Sequence, residues 1–243
     1  MIIRKQKVSE ETKAKEKRGE GHGADYKPYI KVNEFNSLGT ASNPVDWKTG
    51  RTMELLSQGE YYLYYILRFD DNVVDIREQF PLELEETLKI AKELGYKHPK
   101  NTFTRMTSDL LVDYSDGTQE VFSVKSNIKA LDHPRTMEIL RIEKEYWTKK
   151  GVKFNVILTD SLDADTVSNI RLIVEYYDKK WVHDEISLIK HLIATKQIPV
   201  SVTNGLINYS DLRKELANND KFNAIISREY YNLQLEKRTN YSC

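Results

Sequence analysis

The stretch from Thr107 to Lys125 narrows the choice of fold more than any other. Two β-prone runs, Thr107 to Tyr114 and Gln119 to Lys125, flank Ser115-Asp116-Gly117-Thr118. An Asp-Gly pair between such runs is a strong hairpin signal, because glycine takes the left-handed backbone that a tight turn demands. The chain therefore holds an antiparallel pair at its centre. Val73 to Phe80, closed by Pro81, reads as another strand, and the apolar Val152 to Thr159 as a further one. Helical periods lie between them: Thr52 to Phe69, Leu82 to Leu94 ending at Gly95, and Pro134 to Lys150 ending at Gly151, where a helix-stopping glycine belongs. Strands and helices mixed in this way predict an α/β sheet domain reaching to about residue 160.

The flanks differ. Residues 1–30 are polar and lysine-rich and are expected to be a mobile arm. Residues 35–50 carry many turn formers and no clear period. After Leu162 the pattern turns helical, at about Asp165 to Tyr177, Asp184 to Thr195 and Ser210 to Ala217, while Asn219 to Cys243 fits either helix or strand. The expected organisation is an arm over 1–30, a catalytic domain over 31–162 and a small, mainly helical domain over 163–243.

Three polar residues stand out against this frame. Glu60 shares a helix face with Met53, Leu56, Leu63, Tyr64 and Leu67. A carboxylate in an apolar stripe is either buried with a partner or aimed into a cleft. Leu55, Tyr62 and Ile66 lie on the other side, so that face is not unique. On the hairpin, Asp109 opens an apolar strand, and the partner strand ends Ser123-Val124-Lys125. An aspartate facing a polar-x-lysine triplet across an antiparallel pair is how a large class of metal nucleases is built, and it also occurs on plain surface hairpins. A two-residue loop would pair Asp109 with Val124, and a three-residue loop at 116–118 would pair it with Lys125. Only the second, or a bulge elsewhere in the pair, puts aspartate and lysine on one face. Phosphodiester hydrolysis explains the residue types: carboxylates hold divalent ions that neutralise phosphate charge, and an ammonium stabilises charge that develops. Glu143, on the helix after the hairpin, could approach these residues, though a solvated helix-face glutamate is the plainer reading, and His98 reads as structural.

Composition limits the cofactor and the affinity for DNA. Cys243 is the only cysteine and the five histidines show no paired spacing, so a metal would be held by oxygen, as Mg²⁺ is, with Mn²⁺ able to substitute. Thirty-seven basic residues balance thirty-seven acidic ones. Phosphate neutralisation drives most DNA affinity, so a neutral chain should bind DNA weakly on its own. No apolar run approaches the roughly 20 residues of a membrane span, and the charged N-terminus lacks a signal-peptide core. A cytoplasmic protein is expected.

With these residues in view, the chain resembles the TnsA family of transposon endonucleases over about residues 34–160. The likeness rests on Asn36-Ser37-Leu38-Gly39-Thr40-Ala41, Ser57 to Leu63, the run Val73 to Leu82, Lys97-His98-Pro99, Ser108 to Asp113, Val124-Lys125 and Glu145-Tyr146-Trp147. The resemblance implies a restriction-endonuclease-like catalytic domain followed by a winged-helix-like domain. It implies Glu60, Asp109 and Lys125 as catalytic groups, with Glu60, Asp109, Ser123 and the Val124 carbonyl around Mg²⁺. It also implies cutting of the 5′ transposon ends beside an integrase-type transposase, TnsB, and an ATP-dependent regulator, TnsC. One position departs: the family has glutamine where this chain has Ser123, whose shorter, neutral side chain makes a weaker ligand. Two rival readings use the same residues: a stand-alone restriction-type or resolvase-type nuclease, and a decayed scaffold linking transposase to ATPase.

Overall fold

The computed structural model describes residues 8–34, 40–99 and 104–240, with side chains to 236. Its centre is a four-stranded mixed sheet in the order β1-β2-β3-β4: β1 Val73–Pro81, β2 Thr107–Tyr114, β3 Gln119–Lys125 and β4 Lys153–Leu158. The first two pairings are antiparallel and the β3–β4 pairing is parallel. The parallel step follows from the crossover helix α4, Pro134–Lys149, which opens with Pro134 in its first turn and stops at Gly151, φ +70°.

Helix α3, Leu84–Glu93, and α4 cover one face of the sheet. Ile90, Ala91, Ile142, Tyr146 and Trp147 close over Leu111 and Val121 there, all buried. Each large aliphatic side chain among them contributes roughly 1.5–3 kcal/mol when withdrawn from water. Trp147 Nε1 donates to the fully buried Ser108 hydroxyl at 2.8 Å, so this core has no unpaired indole N–H. His98 pairs with Thr87 Oγ1 at 3.1 Å, a structural contact.

Helix α2 begins later than its apolar period suggested. It spans Gln58–Phe69, not Thr52–Phe69, because Ser57 caps it: the hydroxyl accepts from the Glu60 N–H at 3.2 Å. Residues 52–55 instead run extended, bridging Val45 and Ser42.

The expectation of a mobile arm over residues 1–30 is corrected for residues 8–30. Helix α1, Glu10–Lys15, is followed by a segment that lies on β1. Tyr26 and Tyr29 are buried. Tyr26 donates its hydroxyl to the Glu78 carbonyl at 2.9 Å, and Arg18 forms a two-pronged pair with Glu34 at 2.7 Å. A few aromatic anchors outweigh the polar composition. Residues 1–7 lie outside the described residues, as do 35–39, which carry most of the Asn36-to-Ala41 motif.

The chain divides into two compact units between Leu162 and Asp163. The second consists of α5 Ala164–Val174, α6 Glu185–Ala194, α7 Tyr209–Ala217 and α8 Asp220–Asn240. The expected winged-helix fold needs a β-hairpin wing, and no strand occurs among the described residues of this unit. The ambiguous last segment is the 21-residue α8, which buries Ile226 and Leu233 and leaves Tyr231 64% exposed. Among the described residues no helix is long and apolar enough to cross a membrane.

Candidate active site

Glu60 owes its place to the start of α2. It is the third residue of the helix and closes a Ser57-x-x-Glu60 cap, folding back so that Ser57 Oγ donates to its Oε1 at 2.9 Å and the Leu56 N–H to its Oε2 at 2.9 Å. Gly59 brings this turn onto the sheet. A Cβ there would stand 2.1 Å from Thr159 Oγ1 and 2.6 Å from a Val124 methyl, so only glycine permits the approach. Thr159 Oγ1 in turn donates to the Lys125 carbonyl at 3.2 Å.

The hairpin supplies the second carboxylate. Its loop is Ser115-Asp116-Gly117, with Gly117 at φ +83° and Tyr114 N–H donating to Thr118 O at 2.9 Å. The loop is three residues long, as the one-face reading required, but it sits one residue earlier than expected. The register runs Asp113↔Gln119 to Leu110↔Phe122, and its next step sets Asp109 opposite Ser123, not Lys125. The offset is two residues. Strand side chains alternate with period two, so Asp109, Ser123 and Lys125 still share a face. Asp109 Oδ2 accepts from the Val124 N–H at 2.7 Å and lies 3.9 Å from Lys125 Nζ. Lys125 Nζ donates to Ser123 Oγ and to the Val124 carbonyl, both at 2.9 Å.

Glu60, Asp109, Val124 and Lys125 all line one cavity of about 690 Å³, together with Gln79 and Thr107. Ser123 is buried and is not among the described residues lining it. Burial first, and then the neighbouring Asp109 charge, push the Glu60 carboxyl up to about 8. A buried carboxyl whose ionisation the Asp109 charge opposes fits a divalent cation, whose charge would favour the ionised form of Glu60.

Glu143 is not solvated and approaches the site residues, as its alternative reading allowed. It is 4% exposed on the core face of α4, and burial, then Asp109, raise its carboxyl to about 7. Among the described residues its Oε1 has no hydrogen-bond partner. The available signal was the helical period, which puts Glu143 four residues from both Ile139 and Trp147.

A second acidic group lies along β1 and β2. Ligand atoms of His22, Asp75 and Asp113 fall within 4.8 Å of one another. Here Arg77 donates to both Asp113 oxygens at 2.8 Å and lies 4.0 Å from Asp75, so a guanidinium already supplies the positive charge. This group ties the N-terminal segment down, since the Gly23 N–H donates to Asp75 Oδ2 at 2.8 Å.

Residues 70–159, β1 through β4, match the family model described as TnsA-like endonuclease N terminal. Over 159 residues the chain is 38% identical to the transposon Tn7 transposition protein TnsA of Escherichia coli, an alignment that takes in 64% of this chain and 58% of that protein. The chain thus spans less than two thirds of the length of that relative. Asp109 and Lys125 fall inside the matched family segment; Glu60 precedes it. On its sheet, its hairpin and this likeness together, the segment 70–159 of the chain resembles a TnsA-like endonuclease N-terminal domain.

Proposed function

We propose that this chain is a divalent-metal-dependent DNA endonuclease of the restriction-enzyme type, acting as the subunit of a heteromeric transposase that cuts the 5′ ends of a transposon. The observation that carries the reading is the convergence of Glu60, Asp109 and Lys125 on one cavity. Residues 31–162 would form the catalytic domain and 163–243 an appended helical one, in the cytoplasm.

Glu60 and Asp109 would hold a Mg²⁺ or Mn²⁺ ion, with the Val124 carbonyl as a neutral third oxygen. When bound, such an ion supplies neutralisation of charge on the scissile phosphate. Lys125, anchored at Ser123 Oγ, is placed to stabilise charge developing on that phosphate. Ser123 thus serves this site by orienting the lysine, not by reaching the ion. The neutral overall charge supports delivery to DNA by partners, here an integrase-type TnsB and an ATP-dependent TnsC.

The test is a cleavage assay on transposon-end DNA in Mg²⁺, with and without the partner transposase. Partner-dependent 5′ cutting that Asp109→Ala abolishes, with unchanged circular dichroism, is the expected result. Cutting retained in Asp109→Ala refutes the site, and efficient cutting without partners refutes the subunit role.

A further inference from the structure

One residue of β1 holds a backbone that its side chain disfavours. Gln79 has φ +50° and is 2% exposed. Glycine adopts this left-handed region freely and a long side chain rarely does. Its neighbours keep the register with β2, Glu78↔Leu110 and Phe80↔Ser108, so no bulge accounts for it. Such conformations persist where surrounding structure imposes them, and they concentrate at functional sites.

The Gln79 side chain joins two groups of the cavity wall. Its Nε2 donates to Glu60 Oε2 at 3.1 Å, and its Oε1 accepts from Thr107 Oγ1 at 3.3 Å. The consequence appears when the lone pairs of Glu60 are counted. Oε2 accepts from both the Leu56 N–H and Gln79, which uses its two lone pairs. Among the described residues Oε1 accepts only from Ser57, and so keeps one.

We propose that Gln79 is a positioning residue that saturates Glu60 Oε2, so that Glu60 binds a divalent ion through Oε1 alone and the site favours Mg²⁺ over Ca²⁺. The inference rests on the metal-nuclease reading above. Mg²⁺ requires near-ideal octahedral geometry, which single-oxygen carboxylate ligands satisfy. Ca²⁺ takes more ligands and accepts both oxygens of one carboxylate. Losing the Gln79 amide frees an Oε2 lone pair and lets the carboxylate turn to present both oxygens.

The experiment follows Mn²⁺ binding to the full-length chain by electron paramagnetic resonance, with Mg²⁺ and Ca²⁺ as competitors. Gln79→Met keeps the side-chain length without a donor. Gln79→Gly removes the side chain and suits the positive φ, so a folded variant remains available if methionine is not tolerated. Thermal unfolding in chelator verifies folding. The ratio of Ca²⁺ to Mg²⁺ affinity should rise about tenfold in both variants, as for loss of a hydrogen bond that orients a ligand. A packing role alone would weaken both ions together, and an unchanged ratio overturns the proposal. If the wild type binds Mn²⁺ through Asp109 but the ratio does not move, only the role of Gln79 falls. If the wild type binds no Mn²⁺, the metal reading falls and takes this role with it.

Discussion

Replacing Glu60 by glutamine should stabilise the metal-free protein at alkaline pH while destroying its activity. Burial and Asp109 hold this carboxyl at about 8 instead of 4.5. Between those values the folded chain keeps the proton and the unfolded chain releases it. The folded state then binds more protons, so stability falls as pH rises through this window. At 1.36 kcal/mol per pH unit the ceiling is about 5 kcal/mol. Water in the adjoining cavity screens the group, and we expect about 1–2 kcal/mol. Glutamine preserves the local hydrogen bonds: its oxygen accepts from Leu56 and Gln79, and its amide donates to Ser57. Urea midpoints in chelator at pH 5.5 and 8.5 measure the effect. Glu143 titrates in the same direction, so the difference between wild type and variant is the relevant quantity. The wild type should lose ground to Glu60→Gln as pH rises, and Mg²⁺ or Mn²⁺ should restore it only in the wild type. Parallel pH profiles, or a variant less stable at pH 8.5, would refute the reasoning.

Gly59→Ala should cost about 1–3 kcal/mol by overpacking and lower cleavage, because Thr159 and Val124 must shift. Gly117→Ala, strained by φ +83° but with open space around it, should destabilise by about 1 kcal/mol and leave cleavage by the folded enzyme intact; equal losses of activity in the two would contradict the packing argument. Ser123→Ala should slow cleavage and leave Mn²⁺ affinity unchanged, since its hydroxyl serves Lys125; a drop in Mn²⁺ affinity would make it a ligand. Fluorescence-anisotropy titrations of the isolated chain on DNA should show weak binding that falls steeply with salt, and tight, sequence-specific binding at physiological salt would contradict the partner-dependent reading.

The parts of the fold legible in sequence are those with a short-range signal. The Asp-Gly turn announced the hairpin, and its odd loop length put Asp109 and Lys125 on one face even though their pairing was two residues off. Glycines 95 and 151 marked the ends of α3 and α4. The start of α2 was also written locally, in Ser57-x-x-Glu60, but the apolar residues upstream masked it. In α8, Phe222, Ile226, Tyr230 and Leu233 follow a helical period that the surrounding polar residues obscured. Other features lack any local cue. Nothing in a Glu-Gln-Phe run signals a left-handed glutamine, because tertiary contacts impose it. The burial of Glu143 depends on which face α4 turns to the sheet. The docking of the N-terminal segment depends on partners about fifty residues away.

That docking has a consequence for how the molecule assembles. Gly23 and Tyr26 meet Asp75 and Glu78 across 52 residues of chain, and Arg51 braces the same strand through Glu78. During synthesis this segment therefore emerges before the strand that Gly23 and Tyr26 bind. Closing a loop of that length costs about 3.5 kcal/mol beyond a constant, and the contacts that offset it form together and late. The hairpin and α4, with their short-range contacts, are placed to form first. The N-terminal segment then acts as a clasp, fastened once the sheet exists. Its fastening also braces the strand that carries Gln79, a residue of the cavity wall.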